Sequence, residues 1–288
     1  MTPRGAALAA SALVFNAFVW GVSWWPFREL QSQGLHPLWS TALIYFFSLA
    51  CISAWRPGGW RGFARHPQLW LLAVAAGLTN VGFNWAVTVG DVVRVVLLFY
   101  LMPAWSVLLA WGLLGEKPTR ASLLRLVLAM AGVLIVLKSP GSPWPVPHST
   151  ADWLALMGGF SFAATNVLLR KLAYTPGESR MMAMFGGGGL MATATALLGM
   201  AWHIVPAPVW STSWAGVALG LAVAFLLSNM ALQYGAARLA ASTTALVMLT
   251  EILFASLSAA ALGAAEFSPR TLLGGSLIVL AAVLAAKK

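Results

Sequence analysis

Two stretches of this chain decide its fold: SVLLAWGLLGEKPTRASLLRLVLAMAGVL at residues 106–134 and SLSAAALGAAEFSPRTLLGGSLIVLAAVL at residues 256–284. Aligned at a spacing of 150, they share an acidic residue at Glu116 and Glu266 and a basic residue at Arg120 and Arg270. Only 8% of the residues are charged, so these two matches are hard to attribute to chance. The same spacing pairs Ala86 with Ala236, Ser106 with Ser256, Ala110 with Ala260, Leu123 with Leu273, Val133 with Val283 and Leu134 with Leu284. The chain therefore contains two related halves.

The composition identifies lipid as the solvent for much of the surface. Of the 288 residues, 60% are hydrophobic and 8% are charged, whereas a soluble domain is about 25% charged. The net charge of +10 raises the alternative of a nucleic-acid-binding protein, but the basic residues stand singly or in pairs between apolar runs. This scattered distribution does not form a basic helix face of the kind that binds nucleic acid. We expect an integral membrane protein whose partners are a small-molecule substrate and membrane lipid.

Ten apolar stretches follow one another along the chain, and a membrane-spanning helix takes about 20 mostly apolar residues. We predict an all-α membrane protein with spans at Ala6–Phe27, Pro37–Trp55, Gln68–Val89, Val92–Leu114, Ser122–Leu137, Asp152–Leu172, Arg180–Trp202, Trp214–Tyr234, Ala241–Leu262 and Thr271–Ala286. The fifth and tenth predicted spans are the shortest.

A proline-rich segment divides the chain near its middle. Residues 139–151 read SPGSPWPVPHSTA, and four prolines exclude a helix there. We therefore predict a first five-helix repeat at residues 1–138, a linker at 139–151 and a second five-helix repeat at 152–288.

The distribution of basic residues predicts the orientation. With the N-terminus inside, 13 Lys and Arg residues fall on the inner side and 4 on the outer side, as the positive-inside rule expects. We predict an inner-membrane, multi-pass protein with both termini in the cytoplasm. An odd number of helices in each half inverts one half relative to the other, which places Glu116 inside and Glu266 outside. Inverted repeats around a central site are typical of transporters.

The run YLMPAWSVLLAWGLLGE at residues 100–116 has a proline early in the fourth span and Gly-Glu at its end. This pattern resembles the drug/metabolite transporter superfamily in its ten-helix, EamA-like branch, and within it the aromatic amino acid exporters of the YddG type. The second copy lacks the proline expected near Glu251 and Ile252. The resemblance implies a central cavity lined by the first, third, fourth, sixth, eighth and ninth helices, with the fifth and tenth at the periphery. It also implies export of amino acids and related metabolites.

Two amide pairs stand on equivalent helices of the two halves. Asn80 and Asn84 are four residues apart on the third predicted span, as are Asn229 and Gln233 on the eighth. Polar side chains at bilayer depth usually face the bundle interior, and amides both donate and accept hydrogen bonds, as a zwitterionic substrate requires. We predict that these residues line the cavity. The alternative is that they only join helices to one another.

Aromatic faces on the first and sixth spans also predict a cavity lining. A second, weaker repeat at a spacing of 142 pairs Trp20 with Phe162, Trp24 with Asn166 and Arg28 with Arg170. Aromatic rings stack on apolar or aromatic ligands. We therefore predict that substrate contacts Asn16, Trp20 and Trp24 of the first span, Tyr100 of the fourth, and Phe162 and Asn166 of the sixth. The alternative is a place in the interfacial aromatic belts, because tryptophan is abundant in this chain.

Three further residues are predicted to serve transport itself. Glu251 is the only acidic residue well inside a span, where an ionised carboxyl is costly, so it is a candidate for binding a coupling proton. The alternative is a neutral carboxyl bonded to backbone. Pro26 and Pro103 remove helix hydrogen bonds and are predicted hinges. Static curvature is the alternative there.

The sequence argues against an enzyme. It has no His-Glu-x-x-His motif and no phosphate-binding Gly-rich loop ending in Lys. We therefore expect no metal, cofactor or catalytic residue, and a monomer or weak dimer. The predicted function is alternating-access export of small organic solutes, most of all amino acids with apolar or aromatic side chains. The alternatives are export of a nucleobase, sugar or xenobiotic, and a membrane-embedded enzyme.

Overall fold

The computed structural model of the protein describes residues 3–90, 92–137, 147–209, 211–263 and 269–286. Predictions that concern Glu266 and linker residues 139–146 lie outside these ranges. The described residues form fourteen helices: α1 Pro3–Val22, α2 Trp24–Ser32, α3 Pro37–Trp55, α4 Gly58–Arg65, α5 Leu69–Val89, α6 Val92–Phe99, α7 Met102–Leu114, α8 Arg120–Leu137, α9 Thr150–Lys171, α10 Gly177–Ala201, α11 Ala215–Ala236, α12 Ala241–Met248, α13 Glu251–Ala261 and α14 Pro269–Ala286.

The helices correspond to the predicted spans in order. Among the described residues, nine helical stretches are long and apolar enough to cross a membrane, and Leu272–Ala285 in α14 is a shorter apolar helix. In lipid a helix satisfies all its backbone hydrogen bonds internally, which explains why so apolar a chain is helical. The prediction of an all-α membrane protein is confirmed. The short helix α4, between the second and third spans, was not predicted.

Three of the spans consist of two helices each. The first continues from α1 through α2 as far as Ser32. The fourth is interrupted between α6 and α7, and the ninth between α12 and α13. In the fourth span Pro103 stands at the start of α7, where it has no N–H to offer the preceding turn.

The ninth span breaks at the equivalent place without a proline. Thr250 directs its hydroxyl back to the Val247 carbonyl at 2.8 Å, and its backbone N–H bonds the same carbonyl at 3.1 Å. The N–H groups of Ile252 and Leu253 likewise bond carbonyls three residues back, so a tight turn interrupts the regular helix ladder here. The two interruptions thus lie about 150 residues apart, which is the spacing of the sequence repeat. The inverted relation of the two halves remains a prediction.

Close packing between helices rests on glycines. A Cβ at Gly187 of α10 would lie 2.1 Å from the Ala73 carbonyl oxygen of α5, and one at Gly82 of α5 would lie 2.7 Å from the Gly158 nitrogen of α9. Helices α8 and α14 cross where a Cβ on Gly274 would lie 2.6 Å from the Gly132 carbonyl oxygen. Small residues permit this approach in membrane bundles, and these contacts lie within one chain.

One end of the bundle carries the start of α1 and the end of α14, and we call it the terminal face. Buried Arg180 at the start of α10 donates to the Leu172 and Thr175 carbonyls at 2.9 and 2.8 Å. Arg170 at the end of α9 pairs with Glu116, which follows α7, at 3.3 Å. Two arginines therefore hold the terminal face together, one through carbonyls at helix ends and the other through a carboxylate.

Candidate functional site

A cavity of about 70 Å³ lies at the centre of the bundle. Side chains of α1, α3, α5 and α6 and of α9 to α13 line it, so both halves contribute. The lining residues are Trp20, Tyr45, Ala76, Thr79, Asn80, Phe83, Asn84, Phe99, Phe162, Thr165, Met184, Phe185, Phe225, Asn229, Leu232, Met248 and Glu251. This includes the six helices that the resemblance implies and adds the second and seventh spans. None of these lining residues comes from α8 or α14.

Aromatic rings dominate the wall and hold one another edge to face. The Trp20 ring meets Phe225 at a centroid distance of 4.6 Å, and Phe83 meets Phe99 at 4.9 Å. Phe162 packs on Phe99 in a tilted arrangement, at a centroid distance of 5.9 Å. Such pairs are favoured over face-to-face stacks, and they orient the rings so that edges and faces both reach the cavity.

The amides of the third span are oriented by hydroxyl groups of the second. The Asn80 Oδ1 accepts from the Tyr45 hydroxyl at 3.1 Å, while its Nδ2 donates to the Ala76 carbonyl at 2.9 Å. Asn84 donates to the Thr41 hydroxyl oxygen at 2.9 Å. Because these bonds fix the side chains from behind, both amides are held at the cavity wall.

The second amide pair is arranged differently. Asn229 lines the cavity, and its amide meets that of Gln233, one turn further along α11, at 2.9 Å. Gln233 is buried behind the wall and contacts the Met184 sulfur. Of this predicted pair, Asn229 reaches the cavity, whereas Gln233 lies behind the cavity wall and contacts Asn229.

Glu251 contributes the one carboxyl among the described lining residues. It begins α13, directly after the interruption of the ninth span, and faces the Tyr100 hydroxyl within hydrogen-bonding reach. Tyr100 stands at the interruption of the fourth span and is itself 5% exposed, behind Phe99. The two interrupted spans therefore meet side chain to side chain beside the cavity.

Three other predicted residues lie away from the wall. Asn16 is fully buried and donates to the Ser228 carbonyl at 2.9 Å, which joins α1 to α11. Trp24 donates its indole N–H to the Ser258 hydroxyl at 2.9 Å. Asn166 is fully buried on α9, one residue past the lining residue Thr165.

The predicted hinges differ in their surroundings. Pro26 lies in the first turn of α2, after the chain turns at Ser23, whose hydroxyl donates to the Trp20 carbonyl at 2.7 Å. Pro103 accompanies the interruption of the fourth span. A hinge role for either stays a prediction.

Sequence reasoning missed several lining residues. Tyr45 carried a usable signal, because it is one of only 4 tyrosines and lies in mid-span. Phe83, Phe99, Phe185 and Phe225 carried none, because phenylalanine recurs throughout the chain and its position in a helix does not say which face meets the cavity. No group of three or more His, Cys, Asp or Glu side chains suited to a metal ion is found in the described ranges.

Comparison with known proteins finds similarity to one family over residues 7–138. Residues 7–138 match the EamA-like transporter family. A protein named RarD from Salmonella typhi is 29% identical over 181 residues, which cover 60% of this chain and 57% of that protein. RarD from Streptomyces exfoliatus is 28% identical over 169 residues, covering 55% and 50% of the two chains. The match thus spans little more than half the length of these curated relatives.

The fold is shared with a solved protein. A structure described as "Crystal structure of protein" superposes with a TM-score of 0.76 over 96% of each chain, at 19% identity. At that identity the likeness concerns the fold alone. The family match is to transporters, which supports the expectation that the chain is not an enzyme.

Proposed function

We propose that this chain exports small organic solutes through its central cavity, and the match of residues 7–138 to the EamA-like transporter family supports this proposal. The substrates are amino acids with aromatic or apolar side chains and related metabolites. The observation that carries the proposal is the central cavity, whose wall is contributed by both halves and combines aromatic rings, three asparagines and one carboxyl.

The chemistry of the wall matches that substrate class. Seven of the seventeen lining side chains are aromatic, and they offer an apolar surface to a ring or an aliphatic chain. Asn80, Asn84 and Asn229 present amides that hydrogen-bond either charged end of a zwitterion. No lysine or arginine stands among the described lining residues, so an organic anion without an ammonium group has no partner of opposite charge there.

The interrupted spans support alternating access. The interruptions at Tyr100 and Thr250 supply places where spans four and nine bend, and the contacts of Arg180 and Arg170 are those that part when the terminal face opens.

The charge distribution supports an orientation for this motion. Thirteen of the 17 Lys and Arg residues belong to the side that carries both termini, which makes the terminal face the cytoplasmic side of an inner membrane. Substrate then enters from the terminal face and leaves at the opposite one. Glu251 is the group that binds a coupling proton in this scheme.

Transport in proteoliposomes tests the proposal. Purified protein is reconstituted, and efflux of a panel of amino acids, nucleobases, sugars and xenobiotics is followed with and without a pH gradient. We expect aromatic and apolar amino acids to move. Movement of nucleobases, sugars or drugs alone would refute the substrate class, and movement of nothing would refute the transporter.

Two substitutions test the site. Asn84→Ala removes an amide worth about 0.5–1.5 kcal/mol to a bound substrate, so KM should rise roughly two- to tenfold with little change in folded yield. Thr193→Val on α10, whose hydroxyl only bonds the Gly189 carbonyl, is the matched control and should leave KM unchanged. Equal KM values for both variants would remove Asn84 from the binding site.

A further inference from the structure

Three fully buried polar side chains on the neighbouring helices α7, α9 and α12 carry polar atoms without a hydrogen-bond partner among the described residues, as does Asn16 of α1 at its Oδ1. Ser106 of α7, Asn166 of α9 and Thr244 of α12 are each 0% exposed. The Ser106 Oγ, the Thr244 Oγ1 and both the Nδ2 and Oδ1 of Asn166 have no hydrogen-bond partner among the described residues. We call these three residues the polar layer.

The members of the polar layer lie buried close to the place where α7, α9 and α12 meet. Ala110, Val167 and Ala241 pack together where α7, α9 and α12 meet. Ser106 lies one turn from Ala110, Thr244 lies three residues from Ala241, and Asn166 adjoins Val167. On each helix the layer residue is displaced from its packed neighbour in the same direction, away from the terminal face and toward the cavity.

The polar layer stands between the central cavity and a second, polar pocket. Along α9, Thr165 lines the cavity, Asn166 belongs to the layer, and Arg170 pairs with Glu116 at the terminal face. Helices α12 and α13 run the other way, from the terminal face toward the cavity. Glu251 lines the cavity, and Thr244, seven residues earlier, lies about 10 Å nearer the terminal face at 1.5 Å per residue.

The second pocket opens at the terminal face and holds about 230 Å³. It lies directly beyond the polar layer, because Val107 of α7 and Thr243 of α12, each adjacent in sequence to a layer residue, line it. Its wall is mostly polar or charged: Val107, Ala110, Glu116, Lys117, Pro118, Thr119, Ser122, Arg125, Ala240, Ser242 and Thr243.

A dry polar layer is energetically unreasonable. Buried polar atoms in native proteins are almost always paired with protein or with ordered water, and an unpaired one costs the full desolvation penalty of the group. Buried water makes about three hydrogen bonds to such groups. The layer offers donors and acceptors from three helices, which is the environment that a buried water requires.

We propose that the polar layer binds ordered water and that this water carries protons between Glu251 and the pocket at the terminal face. The inference rests on the proposed proton coupling at Glu251 and deepens it. In the release direction the Glu251 O–H bond breaks and its proton passes to a water. Each water in turn gives one proton onward, and the last proton reaches solvent in the pocket. Glu251 is left as a carboxylate, and only O–H bonds change.

The groups around Glu251 leave this route open. Tyr100 faces it from the fourth span, and Tyr45 of α3 lines the same cavity. Helices α1 and α14, which also pack against α13, carry Arg4 and Arg270 at their ends. The Thr165 hydroxyl donates to the Ser161 carbonyl at 2.9 Å, so its oxygen can accept from a water between the cavity and Asn166.

Coupled transport tests the route with Thr244→Val and Ser106→Ala, which keep volume close while removing the hydroxyl. The wild type and both variants are reconstituted with a substrate identified in the panel. We expect substrate exchange at equal pH to be unchanged and the pH-gradient-driven rate to fall roughly tenfold or more. Thr193→Val is the off-route control and should keep both rates.

The outcomes separate the route from the proposed function. If Glu251→Gln abolishes the response to the pH gradient while Thr244→Val and Ser106→Ala retain it, coupling at Glu251 stands and the water route is wrong. A wild type that transports without any response to the gradient overturns both coupling and route. A wild type that transports nothing overturns the proposed function itself.

A stability measurement checks the water directly. If the Thr244 hydroxyl is dry, replacing it by the methyl group of valine removes an unpaired polar atom, and the melting temperature rises. If it binds water, the substitution removes hydrogen bonds, and the melting temperature falls. A lower melting temperature for Thr244→Val in detergent is expected. An unchanged or raised one would overturn the hydrated layer whatever the transport result.

Discussion

Replacing Gly187 by alanine should destabilise the protein through a single backbone contact. The added Cβ would lie 2.1 Å from the Ala73 carbonyl oxygen, 2.6 Å from its carbon and 2.8 Å from its Cα. Ordinary contact begins at 3.4 Å, and the three nearest atoms all belong to the backbone of α5. No side chain can rotate aside, so α5 and α10 have to separate.

The magnitude follows from two opposing effects. Overpacking of a close-packed interior costs about 1–3 kcal/mol, and a backbone clash this deep belongs at the upper end. Alanine is favoured over glycine inside a helix by about 1 kcal/mol. The net loss for Gly187→Ala is therefore about 2 kcal/mol. At roughly 2–4 °C per kcal/mol for a chain of this size, the melting temperature should fall by about 4–8 °C.

Thermal unfolding of the purified protein in detergent measures the effect, with Gly220→Ala as the matched control. Gly220 also lies inside a membrane helix, α11, but a Cβ there meets nothing within 4 Å. The control should keep or slightly raise the melting temperature. If Gly187→Ala and Gly220→Ala melt together, the close approach of α5 and α10 described above is incorrect.

Three further substitutions act on single contacts and are read by the same melting assay. Asn16→Ala removes the side-chain bond from α1 to the Ser228 carbonyl of α11 and should cost about 0.5–1.5 kcal/mol; an unchanged melting temperature would contradict the α1–α11 contact. Ser149→Ala removes the side chain that accepts from the Asp152 N–H in the capping box of α9 and should cost about 1 kcal/mol. Burial lowers the pKa of His36, at the start of α3 and outside the spans, below its ordinary value of 6.5. Stability should therefore be full above pH 6.5 and decline as the pH falls through the lowered pKa, whereas His36→Asn, which can still cap the helix, should flatten that decline.

The two interrupted spans show which helix breaks can be predicted from the sequence and which cannot. Pro103 predicted a disturbance in the fourth span, because proline removes a helix hydrogen bond whatever surrounds it. The absence of a proline near Glu251 suggested a difference in the ninth span, yet that span breaks at the equivalent point. There the backbone N–H groups of Thr250, Ile252 and Leu253 bond carbonyls three residues back, and no single residue type in the sequence indicates such a turn.

The candidate site was accessible to sequence reasoning where polarity is rare. Asn80, Asn84, Asn229 and Glu251 stand out in an apolar chain, and all four reach the cavity wall. Asn16 is equally conspicuous but turns to Ser228 instead. A polar residue in a span indicates a position that faces protein, since lipid offers a polar side chain no hydrogen-bond partner. Whether that protein surface is a cavity or a neighbouring helix depends on how the helices are rotated.

The sequence by itself determined the solvent, the class of secondary structure and the approximate order of the spans. These follow from local properties: apolar composition requires lipid, and lipid requires helices that satisfy their own hydrogen bonds. The tertiary structure alone decided which aromatic residues enclose the cavity, that Tyr100 meets Glu251, and that Ser106, Asn166 and Thr244 are buried near the junction of α7, α9 and α12. Each of these depends on contacts between residues far apart in the chain, and such contacts are set by close glycine packing and helix rotation, which no local pattern encodes.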